Sequence, residues 1–186
     1  MHPLRRHIEE IISLTDQEFE YILSHFKPLK RNKFQYIIQE GESVNKEFWV
    51  VKGCLKSCFF DQDGKEHILQ FAMEDWWVTD YEAFTNRTKA TISVDCIEDC
   101  ELLYITYDDR EKLSSEMHKM ERFWSKKTKL SYIALQNRVL SQMKDTAKER
   151  CEKLQARYPQ LFQRIPKKLI AAYLGVSRET LSRLYS

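Results

Sequence analysis

The last twenty residues constrain this chain more than any other stretch. Within positions 167–186, Ile170 and Leu174 lie four apart and share one face of a helix. Gly175 follows, a residue able to take the left-handed backbone that a tight inter-helix turn requires. Ser177 has the chemistry of a helix N-cap, and Leu181 and Leu184, three apart, give a second helix its buried side. Ala171 is small where two helices must approach, and Val176 closes the gap between them. The polar side of the second helix carries Arg178, Glu179, Ser182 and Arg183, side chains of the types that reach base edges. An amphipathic hairpin packed only for stability is the plainer reading. The joint placement of small residue, turn glycine, cap and five apolar positions favours a helix-turn-helix.

Charge runs the same way. Positions 141–186 hold ten Lys/Arg against four Asp/Glu, so a basic tail follows an acidic body in a chain whose net charge is only +2. That balance is too mild for a protein that coats nucleic acid without selectivity. With 31% charged and 42% hydrophobic residues the chain is expected to be globular, and its 186 residues hold one large domain or two small ones. No apolar run approaches the ~18 residues of a membrane span. Positions 1–10 are too charged for a secretory signal, so a cytoplasmic location without membrane contact is expected.

Upstream, Thr15 and Glu18 have capping-box spacing and open a helix to about His25, with Phe19, Ile22, Leu23 and Phe26 on its apolar face. From 30 to 107, short apolar runs alternate with turn signals: 34–38, 48–51, 54–60, 67–73, 91–96 and 100–106. Their even spacing, and the Asp63-Gly64 hairpin signal, predict an antiparallel barrel or jelly roll. Asp108 and Asp109 are candidate caps for a long helix over 110–142, which contains no Gly or Pro. Leu113, Met117, Met120 and Trp124 form one stripe on it, predicted to pair with a second copy, while Lys127 interrupts the heptads. A further helix over 145–158 ends at Pro159, with Ala147, Cys151, Leu154 and Tyr158 on one face; Leu161, Phe162 and Ile165 pack behind the helix-turn-helix, and Pro166 suits the first turn that follows. The predicted fold is therefore α+β in three parts: a sensor barrel with an N-terminal helix over 1–109, a dimerisation helix over 110–142, and a helix-turn-helix domain over 143–186.

The five cysteines, an odd count in a cytoplasmic setting, do not read as a disulfide framework. Cys54/Cys58 and Cys96/Cys100 have Cys-x3-Cys spacing, but on a straight strand such pairs stand ~13 Å apart and cannot share one metal. Buried free thiols are expected, and no metal.

The order barrel, long helix, helix-turn-helix, together with Ser177-Arg178-Glu179-Thr180-Leu181-Ser182-Arg183, resembles the Crp/Fnr family of bacterial transcription regulators across essentially the whole chain. Glu40-Gly41-Glu42, Val51-Lys52-Gly53 and Asp63-Gly64-Lys65-Glu66 look like the glycine turns of that family's cyclic-nucleotide-binding barrel. The resemblance implies a homodimer on pseudo-palindromic double-stranded DNA, with Arg178, Glu179 and Arg183 on bases and RNA polymerase as a partner. Lys167, Lys168, Ser177, Thr180 and Ser182 are placed for phosphates. The barrel departs from the family pattern. The stretch that holds cyclic AMP in relatives has no Gly-Glu pair here, and its phosphate arginine falls on Ala90, beside Thr91. Arg87-Thr88 keeps the right types about three residues early, and Trp76-Trp77 is bulky enough to fill a pocket. Trp77, Thr79, Asp80, Arg87, Thr88 and Thr91 are the candidate effector residues. No cofactor is called for, and cyclic AMP held in the usual way is not expected.

Two other readings stand beside this one. The first is a small-ligand module with weakened DNA binding, because no strand pair follows the second helix. The second is a cupin-type metal enzyme, which needs two or three histidines in the barrel, where only His67 lies. A binding protein rather than an enzyme is expected. Histidines at 67 and 118 are expected to face solvent.

Overall fold

A helix that the sequence reading did not separate opens the chain. α1 (Pro3–Glu9) has proline at its start, and the His2 ring accepts the Leu4 amide. Leu4 and Ile8, four apart, are both fully buried. In α2 (Asp16–Ser24) the capping box forms: the Thr15 hydroxyl accepts the Glu18 amide, and the Glu18 carboxylate accepts the Thr15 amide. There follow β1 (Lys27–Arg31), β2 (Tyr36–Ile38), β3 (Lys46–Lys52), β4 (Leu55–Phe60), β5 (Glu66–Ala72) and β6 (Trp77–Val78). A short helix, α3 (Tyr81–Asn86), separates them from β7 (Ser93–Cys96) and β8 (Cys100–Thr106). The computed structural model describes residues 1–184, so the last two positions of the closing motif lie outside the described residues.

The strands make two four-stranded sheets, ordered β1-β8-β3-β6 and β2-β7-β4-β5, with antiparallel pairing. Strand alternation sorts the core into two layers. Phe48, Val50, Val78 and Leu102 point between the sheets, where they meet Ile38, Leu55 and Val94. Trp49, Trp77, Leu103 and Ile105 point the other way and are covered by helical residues including Leu4, Ile8, Ile22, Met120 and Phe123. The class is α+β, a jelly roll joined to a helical C-terminal region. At Gly53, φ is +106°, and an added Cβ would lie 2.6 Å from the Cys100 sulfur and 2.7 Å from the Asp99 carbonyl oxygen. That turn therefore needs glycine both for its backbone and for the close approach of β8.

Chain contacts divide the molecule into Met1–Phe59 with Gln70–Thr128, and Phe60–Leu69 with Lys129–Ser186. The boundary thus falls inside the long helix, and the β4–β5 hairpin tip groups with the C-terminal helices.

Two expectations need correction. The helix predicted over 110–142 is two: α4 (Tyr107–Glu116), capped by Thr106 rather than by Asp108 or Asp109, and α5 (His118–Lys144). Met117 between them is extended, at φ −128° and ψ 93°. The stripe assigned to a second copy is also used otherwise. Leu113, Met120 and Trp124 are buried in the chain's own core and Met117 packs against it. The outer face of the first sheet takes that stripe, because Trp49 and Trp77 leave it too apolar to face water. The exposed apolar residues of α5 lie further on: Leu130, Ile133 and Leu140 are 47%, 50% and 45% exposed. They follow 3-4-3 spacing through Asn137. Tyr132, Leu135, Val139 and Met143 form a second exposed stripe on the far side.

The aromatic layer holds a buried histidine. His7 accepts the Trp77 indole N–H at its Nε2, 3.0 Å away. Burial, then the nearby Lys127 and Arg6, push its pKa down to about 4. A group whose folded pKa lies below its unfolded value of about 6.5 stabilises the fold fully above that unfolded value. Stability then falls as pH drops towards 4, by about 2–3 kcal/mol in all. Urea titrations at stepped pH check this: His7→Phe should flatten that part of the pH profile, and an unchanged slope would remove His7 as its source.

Candidate nucleic-acid interface and sensor cassette

The C-terminal helices are α6 (Ala147–Arg157), α7 (Pro159–Arg164), α8 (Lys167–Leu174) and α9 (Arg178–Leu184). Thr146 and Glu149 form a second capping box at the head of α6, so that helix starts slightly later than predicted. Cys151, Leu154, Leu161, Ile165, Ile170, Ala171, Leu174 and Leu181 are buried, so each helix gives one face to a shared core. Pro166 caps α8 from outside its first turn. Gly175 ends α8 in the left-handed region, at φ +69°, and the Val176 amide returns to the Ala171 carbonyl at 3.0 Å. Two arginines that the sequence did not single out hold the last carbonyls of α8. Arg150 Nε donates to Leu174 O at 3.2 Å, and Arg138 Nη2 donates to Tyr173 O at 3.3 Å. The Arg138 guanidinium also lies over the Tyr173 ring, 4.1 Å from its centre.

On α9, Arg178, Glu179, Ser182 and Arg183 are exposed while Leu181 is fully buried. The Thr180 amide donates to Ser177 Oγ at 3.1 Å, so Ser177 caps this helix. A backbone amide bond and the Ser177 hydroxyl hold the Glu179 carboxyl below its usual pKa, helped by Arg178 and Arg183. Glu179 is thus ionised, an acceptor between two donors. Lys167 and Lys168 are exposed in the first turn of α8.

The candidate effector residues do not converge on one site. Trp77 faces the helical layer, 4.9 Å from the Trp124 ring centre, whereas its neighbour Trp76 packs against the sandwich interior. A strand turns successive side chains to opposite faces, so the two indoles cannot fill one pocket together. Thr79 Oγ1 donates to Lys46 O at 2.8 Å. Asp80 caps α3: one carboxylate oxygen accepts the Ala83 amide at 3.1 Å, and the other accepts the Thr91 amide at 2.8 Å and the Thr91 hydroxyl at 3.1 Å. Asp80 is buried, so the cassette's N–H and O–H donors already surround an anion that the chain supplies. Arg87 ends α3 in the left-handed region, pairs with Asp108 and stacks over Tyr107. Thr88 is exposed beside it.

The cassette is tied down by a buried ionic knot that the sequence did not reveal. Tyr81, first in α3, donates its hydroxyl to Glu47 Oε1 at 2.9 Å. Arg110 Nη1 sits 2.9 Å from Glu47 Oε2, without hydrogen-bond alignment, and lies over the Trp124 ring at 4.7 Å. Burial pushes the Glu47 carboxyl up, against the pull of Arg110 and Tyr81.

The five cysteines are free and buried, as expected, but one pair is placed differently. Cys96 ends β7 and Cys100 begins β8, so a turn rather than a straight strand joins them and their thiols meet. No cluster of three or more His, Cys, Asp or Glu able to hold a metal occurs among the described residues. His118 is exposed beside Glu121 at 3.3 Å, and the partly exposed His67 is paired with Asp61 at 2.7 Å. No helix among the described residues is long and apolar enough to cross a membrane.

Residues 28–116 match the profile of the cyclic nucleotide-binding domain. The cAMP-activated global transcriptional regulator CRP of Salmonella typhimurium is 25% identical over 182 residues, covering 91% of this chain and 86% of that protein. Among solved structures, FixK2 from Bradyrhizobium japonicum is similar with a TM-score of 0.74 at 19% identity, over 86% of this chain and 82% of that one. A Crp/Fnr-family chain from Eubacterium rectale is similar with a TM-score of 0.68 at 14% identity, over 92% and 82%.

Proposed function

We propose that this chain, a Crp/Fnr-type regulator with a cyclic nucleotide-binding domain at residues 28–116, acts as a cytoplasmic homodimer that reads double-stranded DNA with α9. The observation that carries this reading is the exposed row Arg178, Glu179, Arg183 on a helix whose other face is locked by Leu181. Arg178 and Arg183 would fork onto guanine O6 and N7, and ionised Glu179 would accept from cytosine N4. Lys167, Lys168, Ser177, Thr180 and Ser182 would hold phosphates and set register without reading sequence. RNA polymerase as a partner rests on the family resemblance alone. The role is one of binding, not catalysis.

The exposed Leu130, Ile133 and Leu140 stripe of α5 supports a two-fold dimer, with Asn137 as its register-setting polar position. Two copies of α9 then face half-sites one helical turn apart, about 34 Å. Ile133→Asp with Leu140→Asp should yield a monomer by sedimentation and lose palindrome binding at least about 10-fold. A dimer that persists in this variant moves the seam elsewhere.

The barrel is proposed not to answer cyclic AMP in the usual way. Asp80 supports this, since its carboxylate already takes the Thr91 and Ala83 donors, and a second anion there meets repulsion instead of an arginine. Selection of bound sequences from random DNA tests the main reading: enrichment of a pseudo-palindrome is expected, and failure to enrich any sequence ends it. Calorimetry with cyclic AMP tests the second part, where tight stoichiometric binding is the contrary result.

A further inference from the structure

β4 and β7 carry a buried polar cluster that neither the DNA-reading face nor the cassette uses. The register sets Lys56 directly opposite Asp95 and Cys58 opposite Ser93. Lys56 and Cys58, two apart, therefore share one face of β4. Lys56 Nζ lies 2.8 Å from Asp95 Oδ1 and 3.5 Å from the Cys58 sulfur, which is itself 3.9 Å from Asp95 Oδ1. Cys58 is fully buried, and Lys56 and Asp95 are nearly so. The opposite face of the same ladder bears Leu55, Val94 and Cys96, which fill the sandwich interior. Cys58 is thus turned away from the Cys96 side, towards an amine.

We propose that Lys56 and Cys58 are an oxidative modification site, closing an N–O–S bridge when the protein meets hydrogen peroxide. The Cys58 thiol points at Asp95 Oδ1, which can receive its proton, and the Lys56 ammonium 3.5 Å away favours the thiolate, which is the reactive form. Its sulfur attacks one oxygen of a first peroxide; the O–O bond breaks, leaving Cys58 as sulfenic acid and releasing one water. The thiol hydrogen leaves with that exchange, on the water or the sulfenic oxygen, so the Asp95 carboxylate is free to take the proton that the Lys56 ammonium must lose. A second peroxide then removes two electrons. The bond between Nζ and the sulfenic oxygen forms as one N–H and the O–H bond break, and the two hydrogens and two electrons reduce that peroxide to two waters. Nitrogen and sulfur held 3.5 Å apart leave a gap that one oxygen spans with little movement, whereas a direct S–N bond must close much further. Peroxide is scarcely larger than water, and brief local opening of the sheet admits it.

Graded peroxide treatment of the folded full chain, read by intact mass and peptide mapping, tests this. The expected product gains about 14 Da, one oxygen added and two hydrogens lost, on a peptide linking positions 56 and 58. A phosphine reductant should return wild-type protein to its starting mass, which needs no variant to fold. Lys56→Arg, which keeps a cation opposite Asp95, and Cys58→Ser should each abolish the product. A gain of about 32 Da on Cys58 with Lys56 unmodified, a loss of about 2 Da, or no change of mass overturns the proposal.

Discussion

Arg110→Met is expected to lower the unfolding free energy by about 3–5 kcal/mol. Arg110 lies 2.9 Å from Glu47, whose side chain is almost wholly buried on β3, and Tyr81 donates a hydrogen bond to the other carboxylate oxygen. Removing the guanidinium leaves a carboxylate in a place where burial already opposes its ionisation. The protein must then protonate Glu47 or admit water, and either route costs stability. Methionine fills much of the arginine's volume but also loses the guanidinium's stacking over Phe84 and Trp124, so a double variant is needed to isolate the charge effect. Two urea titrations decide the matter. The single variant should be severely destabilised, and Arg110→Met with Glu47→Gln should recover most of the loss, because a neutral amide still accepts from Tyr81. A single variant within about 1 kcal/mol of wild type would show that the ion pair is incidental.

The second large effect is on recognition. Arg178→Ala with Arg183→Ala should weaken binding to the selected site by about 2–6 kcal/mol, from about 1–3 for each guanine contact. The two residues are five apart on α9 and would meet different bases, so their effects should add. Binding to unrelated DNA should fall much less, so the specificity ratio collapses. Fluorescence anisotropy on selected and scrambled duplexes at one fixed salt concentration separates the outcomes. An equal loss on both would mean that the arginines touch only phosphates, and would move base reading away from α9.

Much of this architecture was written in local signals. The closing motif was legible because Gly175, Ser177 and Leu181 each do a local job that a single residue type performs best. β8 emerged at its predicted bounds because its apolar run is buried on both faces and bounded by the Glu98-Asp99 turn signal, while β1 and β6 were missed: Lys27–Arg31 is polar and Trp77–Val78 has two residues. α1 left a signal that charge obscured, Pro3 followed by Leu4 and Ile8. The break at Met117 left none, because it follows from where the outer sheet face lies. That same tertiary fact moved Leu113, Met120 and Trp124 from a supposed subunit seam into the chain's own core. Cassette residues such as Asp80 could be located in sequence, but its three donors come from positions up to eleven residues away.

Arg138 joins more of the molecule than its place on α5 implies. One guanidinium holds the Ile68 and Leu69 carbonyls of the hairpin tip and the Tyr173 carbonyl at the end of α8. Backbone oxygens of two remote segments thus converge on one planar guanidinium. The hairpin tip, α5 and the end of α8 therefore share three hydrogen bonds through a single side chain, so Arg138→Ala should loosen all three contacts together.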